Sequence, residues 1–393
     1  MNASAPAGAS RGAVEIAVFA LVGAAFTNIY VTQPVLPALE AEFAADTVAV
    51  ARSVSMVLLG IALANLPFGY LADRVSVRHL ILGGGLAIGI AGVLCALADR
   101  LWLLLAARFG QGVFIPALTT CLAAYLAKTL PPARLNVVMG SYVAATVLGG
   151  MLGRLLGGLV QPLAGWRVAC LVAAALVVVA TLVALRWLPA APHTFGGAHR
   201  SVRYRSLLAR PELWRVYLCG AAGQAIFSPV FNTIAYRLTE PVIGLSLAQA
   251  SLVYLVYLVG IYIGPASGRL SNRLGNGNTL VAGTVVLMLS LVLLLVPAVS
   301  AIVCALVGVC AGFFAVHAAA VGALNRRLEA GQGRANALYV LAYYLGAALG
   351  VSWSAAVYQQ AGWHFLIGVA LLIALVPLAI GLVERRRDSR QAA

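Results

Sequence analysis

Two arginines stand inside long apolar stretches of the sequence, where a cation is costly. Arg108 and Arg154 each lie several residues within a run that holds no other charge. A charged side chain at such a depth in a membrane must pair with carbonyls, water, an acid or an anionic ligand, so it is by default a candidate functional residue. The centres of these runs contain no Asp or Glu. The arginines therefore bond to backbone carbonyls, reach a loop acid such as Glu40, Glu42 or Asp46, or bind an anionic ligand.

A histidine in another apolar stretch is the best candidate for proton binding. The imidazole of His317, with an unperturbed pKa of about 6.5, can take up and release a proton near neutrality. A hydrogen-bonded histidine in a packed core is the structural alternative. Glu15, at the start of the first apolar stretch, is a second candidate, although an interfacial charge would occupy the same position.

Other kinds of chemistry lack the residues they need. The five histidines include no pair at the spacing of metal ligands, so no metal is predicted. Lys128 is the only lysine, and it follows Ala127 rather than the glycine of a phosphate-binding loop. No pair of carboxylates and no nucleophile elbow supports an enzyme. All six cysteines lie within apolar stretches, which predicts no disulfide framework.

The apolar stretches that hold these residues recur along the whole chain. Of the 393 residues, 62% are hydrophobic and only 9% are charged, which indicates lipid as the main solvent. Runs of about 20 apolar residues, enough to cross a hydrocarbon layer of about 30 Å, are separated by short polar breaks. Helices satisfy their own backbone groups in lipid, whereas a barrel would show short alternating segments. We predict twelve transmembrane helices, near residues 14–37, 49–71, 79–98, 101–127, 135–162, 167–188, 214–236, 247–268, 279–297, 300–325, 335–359 and 363–384.

The distribution of basic residues predicts the orientation of these helices. With a cytoplasmic N-terminus, twenty of the 26 Lys and Arg residues fall on the cytoplasmic side, four lie outside and two lie inside helices. The positive-inside rule then places both termini in the cytoplasm. The net charge of +15 is spread through membrane-flanking turns, so lipid headgroups rather than nucleic acid are the predicted partners. The first helix is long and polar at its end, so we expect it to be retained rather than cleaved as a signal peptide.

An internal repeat with an offset of 199 residues relates the two halves of the chain. The run from Gly69 to Arg74 corresponds to the run from Gly268 to Arg273, with Asn272 in the place of Asp73. The sequence Ala-Gly-Trp that precedes Arg167 returns before His364 at nearly the same offset. A parallel repeat of this kind predicts two bundles related by an axis along the membrane normal, with a substrate site between them near mid-membrane.

The longest polar stretch between predicted helices separates the two repeats. It covers residues 189–213 and is rich in proline and arginine. We therefore predict an N-terminal six-helix bundle over residues 1–188, a cytoplasmic central loop, and a C-terminal six-helix bundle over residues 214–393.

Three motifs resemble those of the major facilitator superfamily, and the resemblance covers nearly the whole chain. Gly69 to Arg78 is similar to the signature turn between helices 2 and 3, with Ser76 where a glycine is usual and Val77 where a base is usual. Leu104 to Gly112 resembles the helix 4 motif of proton-coupled members. Gly149 to Arg154 resembles the glycine-rich helix 5 of exporters, without the proline often found before its glycine pair. The resemblance implies an all-α membrane protein with the major facilitator fold.

The resemblance also implies where the two halves would latch together. Asp73 would lie at the cytoplasmic rim, where its carboxylate could meet the positive N-terminal end of helix 11 and a nearby arginine. In the family the glycine-rich stretch of helix 5 bends as the halves rock. A solvated turn charge and simple close packing of glycines are the structural alternatives. The implied gating residues are Gly69, Asp73, Arg74, Arg78, Gly149 and Gly153.

The cavity-lining helices of the family imply a set of substrate-binding residues. These helices carry polar and aromatic side chains, although tyrosines at a lipid interface would look the same in sequence. The implied substrate-binding residues are Asn28, Tyr30, Gln33, Arg108, Gln111, Arg154, Asn232, Tyr236, His317 and Tyr343. The implied proton-coupling residues are His317, Arg108 and Asp73.

The leading interpretation is a proton-coupled exporter that rocks two rigid halves around a central site. Arginines and a histidine without a carboxylate disfavour a cationic substrate and admit a neutral or acidic organic molecule. We expect a monomer in a bacterial inner membrane, with protons and lipid as partners, and no cofactor. An importer of a similar solute is the nearest alternative. A membrane-embedded transferase and a non-transporting sensor are alternatives from other classes.

Overall fold

Helices are the only regular elements in the part of the chain that the structure describes. The structure, a computed structural model, describes residues 11–72, 74–188, 204–328 and 332–392. The helices are α1 (Arg11–Tyr30), α2 (Leu36–Phe43), α3 (Thr47–Leu71), α4 (Val77–Leu97), α5 (Leu101–Leu118), α6 (Thr120–Thr129), α7 (Pro132–Ala164), α8 (Trp166–Trp187), α9 (Tyr204–Leu208), α10 (Pro211–Thr239), α11 (Leu247–Ser251), which continues through a 3₁₀ turn (Leu252–Tyr257) into α12 (Leu258–Leu274), α13 (Asn276–Leu293), α14 (Val299–Arg326) and α15 (Gln332–Ala392).

Nine helical segments within the described ranges are long and apolar enough to cross a membrane. The prediction of an all-helical protein is therefore confirmed, while the number twelve stays a prediction. The last segment, Gly333–Arg387, covers two predicted helices in one run of 55 residues. The seventh predicted helix corresponds to α10, which is largely buried and carries polar residues that lower its hydropathy. The eighth corresponds to α11 and α12, whose apolar part, Leu247–Ile263, is short.

Two glycines turn the chain at corresponding places in the repeat. Gly165, between α7 and α8, has φ +84°, and Gly362, within α15, has φ +73°. This region of backbone conformation favours glycine because a side chain would clash there. Each glycine precedes a buried tryptophan, Trp166 or Trp363. The paired Ala-Gly-Trp motifs therefore mark the same helix break twice.

The missing glycine of the signature turn also has a structural explanation. Ser76 has φ −59° and caps α4, because its hydroxyl accepts a hydrogen bond from the backbone nitrogen of His79. Gly275, which lies 199 residues further on, has φ +84° and precedes α13. The first turn therefore begins its helix with a serine cap, whereas the second requires a glycine.

The helices pack in two groups that touch along a few elements. In the first group α1 packs on α7 and α8, α3 packs on α5, and α4 packs on α5 and α8. In the second group α10 packs on α14 and α15, and α13 also packs on α14 and α15. Contacts between the groups run mainly from α3 to α15 and from α7 to α11, the 3₁₀ turn and α12. The two groups therefore meet along α3, α7, α15 and the segment from α11 to α12.

Glycines of α7 allow it to approach α1 closely. A methyl group at Gly149 would overlap the carbonyl oxygen of Gly23, and one at Gly153 would overlap the carbonyl oxygen of Thr27. In the second group a methyl group at Gly346 would overlap a carbonyl of α10 in the same way. Small residues let backbones approach in this manner in membrane interfaces. The packing role of the helix 5 glycines is therefore observed, and their gating role stays a prediction.

One end of the bundle serves as a reference for the site. The short helix α2 lies at this end, together with the end of α1 and the start of α8. Glu42 of α2 accepts hydrogen bonds from Trp166 and Arg167 at the start of α8. We call this end the α2 face and the opposite end the α9 face.

Candidate functional site

Arg154 of α7 lies at the junction of the two groups of helices. Its side chain is 2% exposed. The Nε atom donates to Gln33 Oε1 at 2.6 Å, and Nη1 donates to the carbonyl oxygen of Gly150 at 2.8 Å. The guanidinium carbon lies 3.8 Å from the ring centroid of Tyr30 and 4.4 Å from that of Tyr257. Aromatic rings thus cover the guanidinium, and such contacts stabilise a desolvated cation by about 2 kcal/mol.

A hydrogen bond connects the Arg154 site directly to the second group of helices. Gln33 lies in the turn between α1 and α2, and its Nε2 donates to Oδ1 of Asn232 in α10 at 3.4 Å. Both side chains are buried. The Gln33 amide therefore bridges Arg154 and Asn232. Arg154 and Gln33 of the first group and Asn232 of the second group form one continuous chain of hydrogen bonds.

Arg108 of α5 has a different environment, made of backbone carbonyls. Its Nε donates to the carbonyl oxygen of Ser53 at 2.9 Å, Nη1 donates to that of Asn28 at 2.6 Å, and Nη2 donates to that of Ile29. Nη1 also donates to Gln111 Oε1 at 2.7 Å. Every nitrogen of the guanidinium thus has a protein acceptor. This arrangement holds α1 and α3 against α5, as expected of a structural arginine.

Asn28 and Gln111, two other predicted substrate-binding residues, belong to the same buried network. Asn28 Nδ2 donates to the carbonyl oxygens of Ala24 and Ala173 at 2.9 and 2.8 Å. Gln111 Nε2 donates to Asn28 Oδ1 at 3.3 Å. These bonds join α1, α5 and α8 within the first group, so protein partners hold both side chains. The contacts favour a packing role over contact with substrate.

His317 of α14 is surrounded by aromatic rings. Its Nδ1 lies 2.8 Å from the hydroxyl oxygen of Tyr339, and its ring centroid lies 5.2 Å from that of Tyr343 and 6.1 Å from that of Phe313. His317 forms no ion pair with a described carboxylate. Glu15, the second candidate, is half-buried in α1. The imidazole of His317 is therefore hydrogen-bonded to the hydroxyl group of Tyr339, which can exchange a proton with it.

A series of aromatic rings in contact connects the Arg154 and His317 sites. The ring centroids of Tyr257 and Phe227 are 5.6 Å apart, and those of Phe227 and Phe313 are 4.1 Å apart and nearly parallel. Tyr254, buried beside them, donates its hydroxyl hydrogen to the carbonyl oxygen of Phe231 at 3.2 Å. The phenylalanines could not be singled out from the sequence, because an apolar ring in an apolar helix carries no distinguishing signal.

Tyr236, another predicted substrate-binding residue, instead joins the two groups at the α2 face. Its hydroxyl donates to Glu40 Oε1 at 2.8 Å. The Tyr236 ring lies 5.8 Å from the ring of Tyr358, whose hydroxyl donates to Glu240 Oε1 at 2.5 Å. Glu40, one of the loop acids considered as partners of the membrane arginines, is thus bonded to a tyrosine.

The predicted gating residues of the signature turn differ in what the structure describes. Asp73 lies outside the described residues, so its latch stays a prediction. The guanidinium carbon of Arg74 lies 4.1 Å from the ring centroid of Tyr70. Arg78 donates to the carbonyl oxygens of Leu185 and Leu188 at 2.5 and 3.3 Å. Arg78 thus caps the end of α8. At Gly69, another predicted gating residue, an added methyl group would meet open space.

A buried carboxylate at the α9 face was missed from the sequence. Glu384, near the end of α15, is 4% exposed. It forms an ion pair with Arg327 at the end of α14 and another, at 3.5 Å, with Arg215 at the start of α10. Nothing in the sequence links Glu384 to arginines more than 50 residues away.

The helices, their apolar exterior and the polar groups at their centre define a polytopic membrane protein. A family model described as Major Facilitator Superfamily matches residues 18–328. The chain therefore belongs to this superfamily, and it is a membrane transporter rather than an enzyme.

Curated relatives and solved structures agree with this membership. The chain is 26% identical to the inner membrane transport protein YnfM of Escherichia coli, over 95% of this chain and 91% of that protein. It is also 26% identical to the uncharacterized MFS-type transporter YybF of Bacillus subtilis, over 94% and 92% of the two chains. A multidrug resistance protein B homolog of Mycobacterium tuberculosis is 31% identical over 55% of this chain and 39% of its own length.

The fold resembles that of a bacterial homolog to the human lysosomal transporter Spinster. Its structure in an inward-facing and occupied conformation has a TM-score of 0.79 and 15% identity, over 96% of this chain and 98% of that chain. Its inward-facing and unoccupied structure has a TM-score of 0.77 and 16% identity, with 96% and 97% covered. At this identity the likeness establishes the major facilitator fold alone.

Proposed function

We propose that the protein is a secondary active transporter that exports a small neutral or anionic organic molecule across the bacterial inner membrane in exchange for protons. In this proposal twelve helices form two six-helix bundles, residues 1–188 and 214–393, joined by a cytoplasmic loop. Both termini lie in the cytoplasm, so the α2 face is periplasmic. The bundles rock about a central site to give alternating access.

The environment of Arg154 carries the proposal for the substrate. This arginine is buried where the two groups of helices meet, and its neighbours are aromatic rings and the Gln33 amide. No described carboxylate forms an ion pair with Arg154. A site with this unbalanced positive charge attracts an anion or a hydrogen-bond acceptor and repels a cation. Tyr30 and Tyr343 are the further substrate-binding residues of the proposal, while Gln33 and Asn232 join the two groups of helices beside them.

Contacts between the groups at the α2 face support an inward-facing state. Gln33 bonds to Asn232, and Tyr236 bonds to Glu40. A methyl group at Gly158 of α7 would overlap the hydroxyl oxygen of Ser251 in α11, so the two helices are in close contact there. The Spinster homolog with a similar fold is likewise described as inward-facing.

Proton coupling in the proposal uses His317. It lies half-buried in α14, and its hydrogen bond to Tyr339 gives a proton an exchange partner. Asp73 latches the cytoplasmic ends, and Gly149 and Gly153 allow α7 to shift against α1. The direction of transport is proposed as export because one relative is named for multidrug resistance.

A proteoliposome assay tests the proposal. Purified protein is reconstituted with a pH-sensitive dye inside, a pH gradient is imposed, and organic acids, sugars and cationic dyes are added in turn. We expect a neutral or anionic compound to accelerate proton flux, with Arg154→Ala inactive and Arg269→Ala, which changes an exposed arginine, active. Proton flux driven only by cationic compounds, or driven equally in Arg154→Ala, would contradict the proposal.

A further inference from the structure

We propose that Arg154 binds the carboxylate of an organic anion, and that this carboxylate displaces Gln33 and so breaks one of the hydrogen bonds that close the α2 face. The inference rests on the proposed function and goes beyond it by naming the ligand group and the residue that couples binding to opening. Gln33 is a positioning residue in this account, because it acts through Arg154 and Asn232.

The donors of Arg154 make a carboxylate the best ligand. Nε donates to the amide oxygen of Gln33 and Nη1 donates to the carbonyl oxygen of Gly150, so both of these acceptors are uncharged. A guanidinium presents its N–H groups as a planar fork that matches the two oxygens of a carboxylate. Charge-assisted hydrogen bonds of this kind are about twice as strong as neutral ones. A carboxylate therefore outcompetes the neutral amide oxygen of Gln33 for Nε.

The rings around Arg154 limit how the anion approaches and what its body contains. Tyr30 and Tyr257 lie against the guanidinium at 3.8 and 4.4 Å, and Tyr254 and Phe231 lie 5.6 and 6.0 Å from it. The anion must therefore approach the edge of the guanidinium that carries the N–H groups. An apolar body next to the carboxylate then packs against the same rings, whereas a hydrated polyanion would lose its water without compensation.

Displacement of Gln33 weakens the contact with Asn232. The Gln33 side chain is held by two bonds, a short one of 2.6 Å to Arg154 and a long one of 3.4 Å to Asn232. Once the short bond is lost, the amide regains rotamer freedom and the long bond alone does not fix it. Because Gln33 and Asn232 belong to different groups of helices, losing their bond removes one closing contact at the α2 face.

Cysteine labelling and thermal stability together test this coupling. Ser251 faces Gly158 where α11 meets α7, and it is buried. Ser251→Cys, combined with Cys304→Ala to remove the exposed cysteine, reports opening at the α2 face through its reaction with a membrane-impermeant maleimide. The probes are benzoate and hexanoate as carboxylates, benzamide as the neutral isostere and benzamidine as the cationic isostere.

Each probe and each variant should give a distinct result. Benzoate or hexanoate should raise the melting temperature and increase labelling at least threefold, benzamide less, and benzamidine not at all. Gln33→Glu supplies the carboxylate from the chain itself, so labelling should be high without probe and carboxylate affinity should fall at least tenfold. Asn232→Ala should label rapidly without probe and still be stabilised by the carboxylates, because Arg154 is unchanged.

Two results would overturn the inference. One is the absence of stabilisation by both carboxylates, and the other is equal stabilisation of the parent protein and of Gln33→Glu. If the proteoliposome assay finds transport without any preference for carboxylates, this inference fails while the proposed function stands. If carboxylates bind and open the α2 face but nothing is transported, the proposed function fails while this inference stands.

Discussion

The hydroxyl of Tyr236 donates to Glu40 Oε1 at 2.8 Å and joins α10 to α2 across the junction of the two groups of helices. The neighbouring Tyr358 makes a comparable bond to Glu240, but both of those residues belong to the second group. We therefore predict that Tyr236→Phe opens the α2 face more often, because one closing contact is lost. Labelling of Ser251→Cys should increase at least threefold in Tyr236→Phe and remain near the parent rate in Tyr358→Phe. Equal rates in the two variants would remove Tyr236 from the closing contacts.

The close approach of α7 to α1 predicts a loss of stability when a methyl group is added. In Gly153→Ala the new carbon would overlap the carbonyl of Thr27, and such overpacking costs about 1–3 kcal/mol. Gly83→Ala is the matched control, because a methyl group at Gly83 of α4 meets open space. Melting temperatures in detergent should therefore fall for Gly153→Ala and not for Gly83→Ala. An unchanged melting temperature for Gly153→Ala would show that the two helices can separate there at no cost.

The ion pairs of Glu384 predict that it fastens α15 to α10 and α14. Glu384→Gln leaves Arg215 and Arg327 facing each other without a counter-charge, which should cost about 1–3 kcal/mol because the carboxylate is buried and the arginines are partly exposed. The melting temperature should fall in Glu384→Gln. The double variant Glu384→Gln with Arg327→Gln removes one of the two arginine charges as well, so it should recover part of the lost melting temperature. The control is Glu212→Gln, whose carboxylate pairs with Arg210 on the surface. A stable Glu384→Gln protein would make this cluster incidental.

His317 predicts a separable effect on proton coupling. His317→Gln should flatten the pH dependence of transport and uncouple substrate flux from proton flux, because the imidazole beside Tyr339 and Tyr343 is lost. Tyr339→Phe keeps the imidazole and removes its hydroxyl partner, so it should shift the pH profile without flattening it. The measurement is substrate-driven proton flux in proteoliposomes between about pH 5.5 and pH 8. An unchanged profile in His317→Gln would assign this histidine to packing.

Local patterns predicted the helices and the repeat, because these depend on properties that each segment carries by itself. The Ala-Gly-Trp pairs illustrate this, since Gly165 and Gly362 adopt the same backbone region. The partners of the arginines could not be predicted in this way. Arg108 bonds mainly to backbone carbonyls, which every residue possesses, and Arg154 meets Gln33 from 121 residues away.

The same limit applies to the offset of the repeat. Gln33 and Asn232 are 199 residues apart, which is the offset found in the sequence, and they bond to each other. The offset identified corresponding positions, whereas their contact depends on how the two groups of helices meet. Tyr236 shows the opposite case, because its polar ring suggested substrate contact and the structure pairs it with a carboxylate of the other group.

The most direct test of the central claim compares Arg154→Ala with Arg108→Ala for ligand affinity and melting temperature on the same preparations. Arg154 is assigned to the substrate and Arg108 to the carbonyls that it binds. We predict that Arg154→Ala lowers affinity for the transported compound at least tenfold with a modest change in melting temperature. Arg108→Ala should lower the melting temperature strongly and leave the affinity of the remaining folded protein unchanged. Full affinity in Arg154→Ala, with a large loss of stability, would contradict the account.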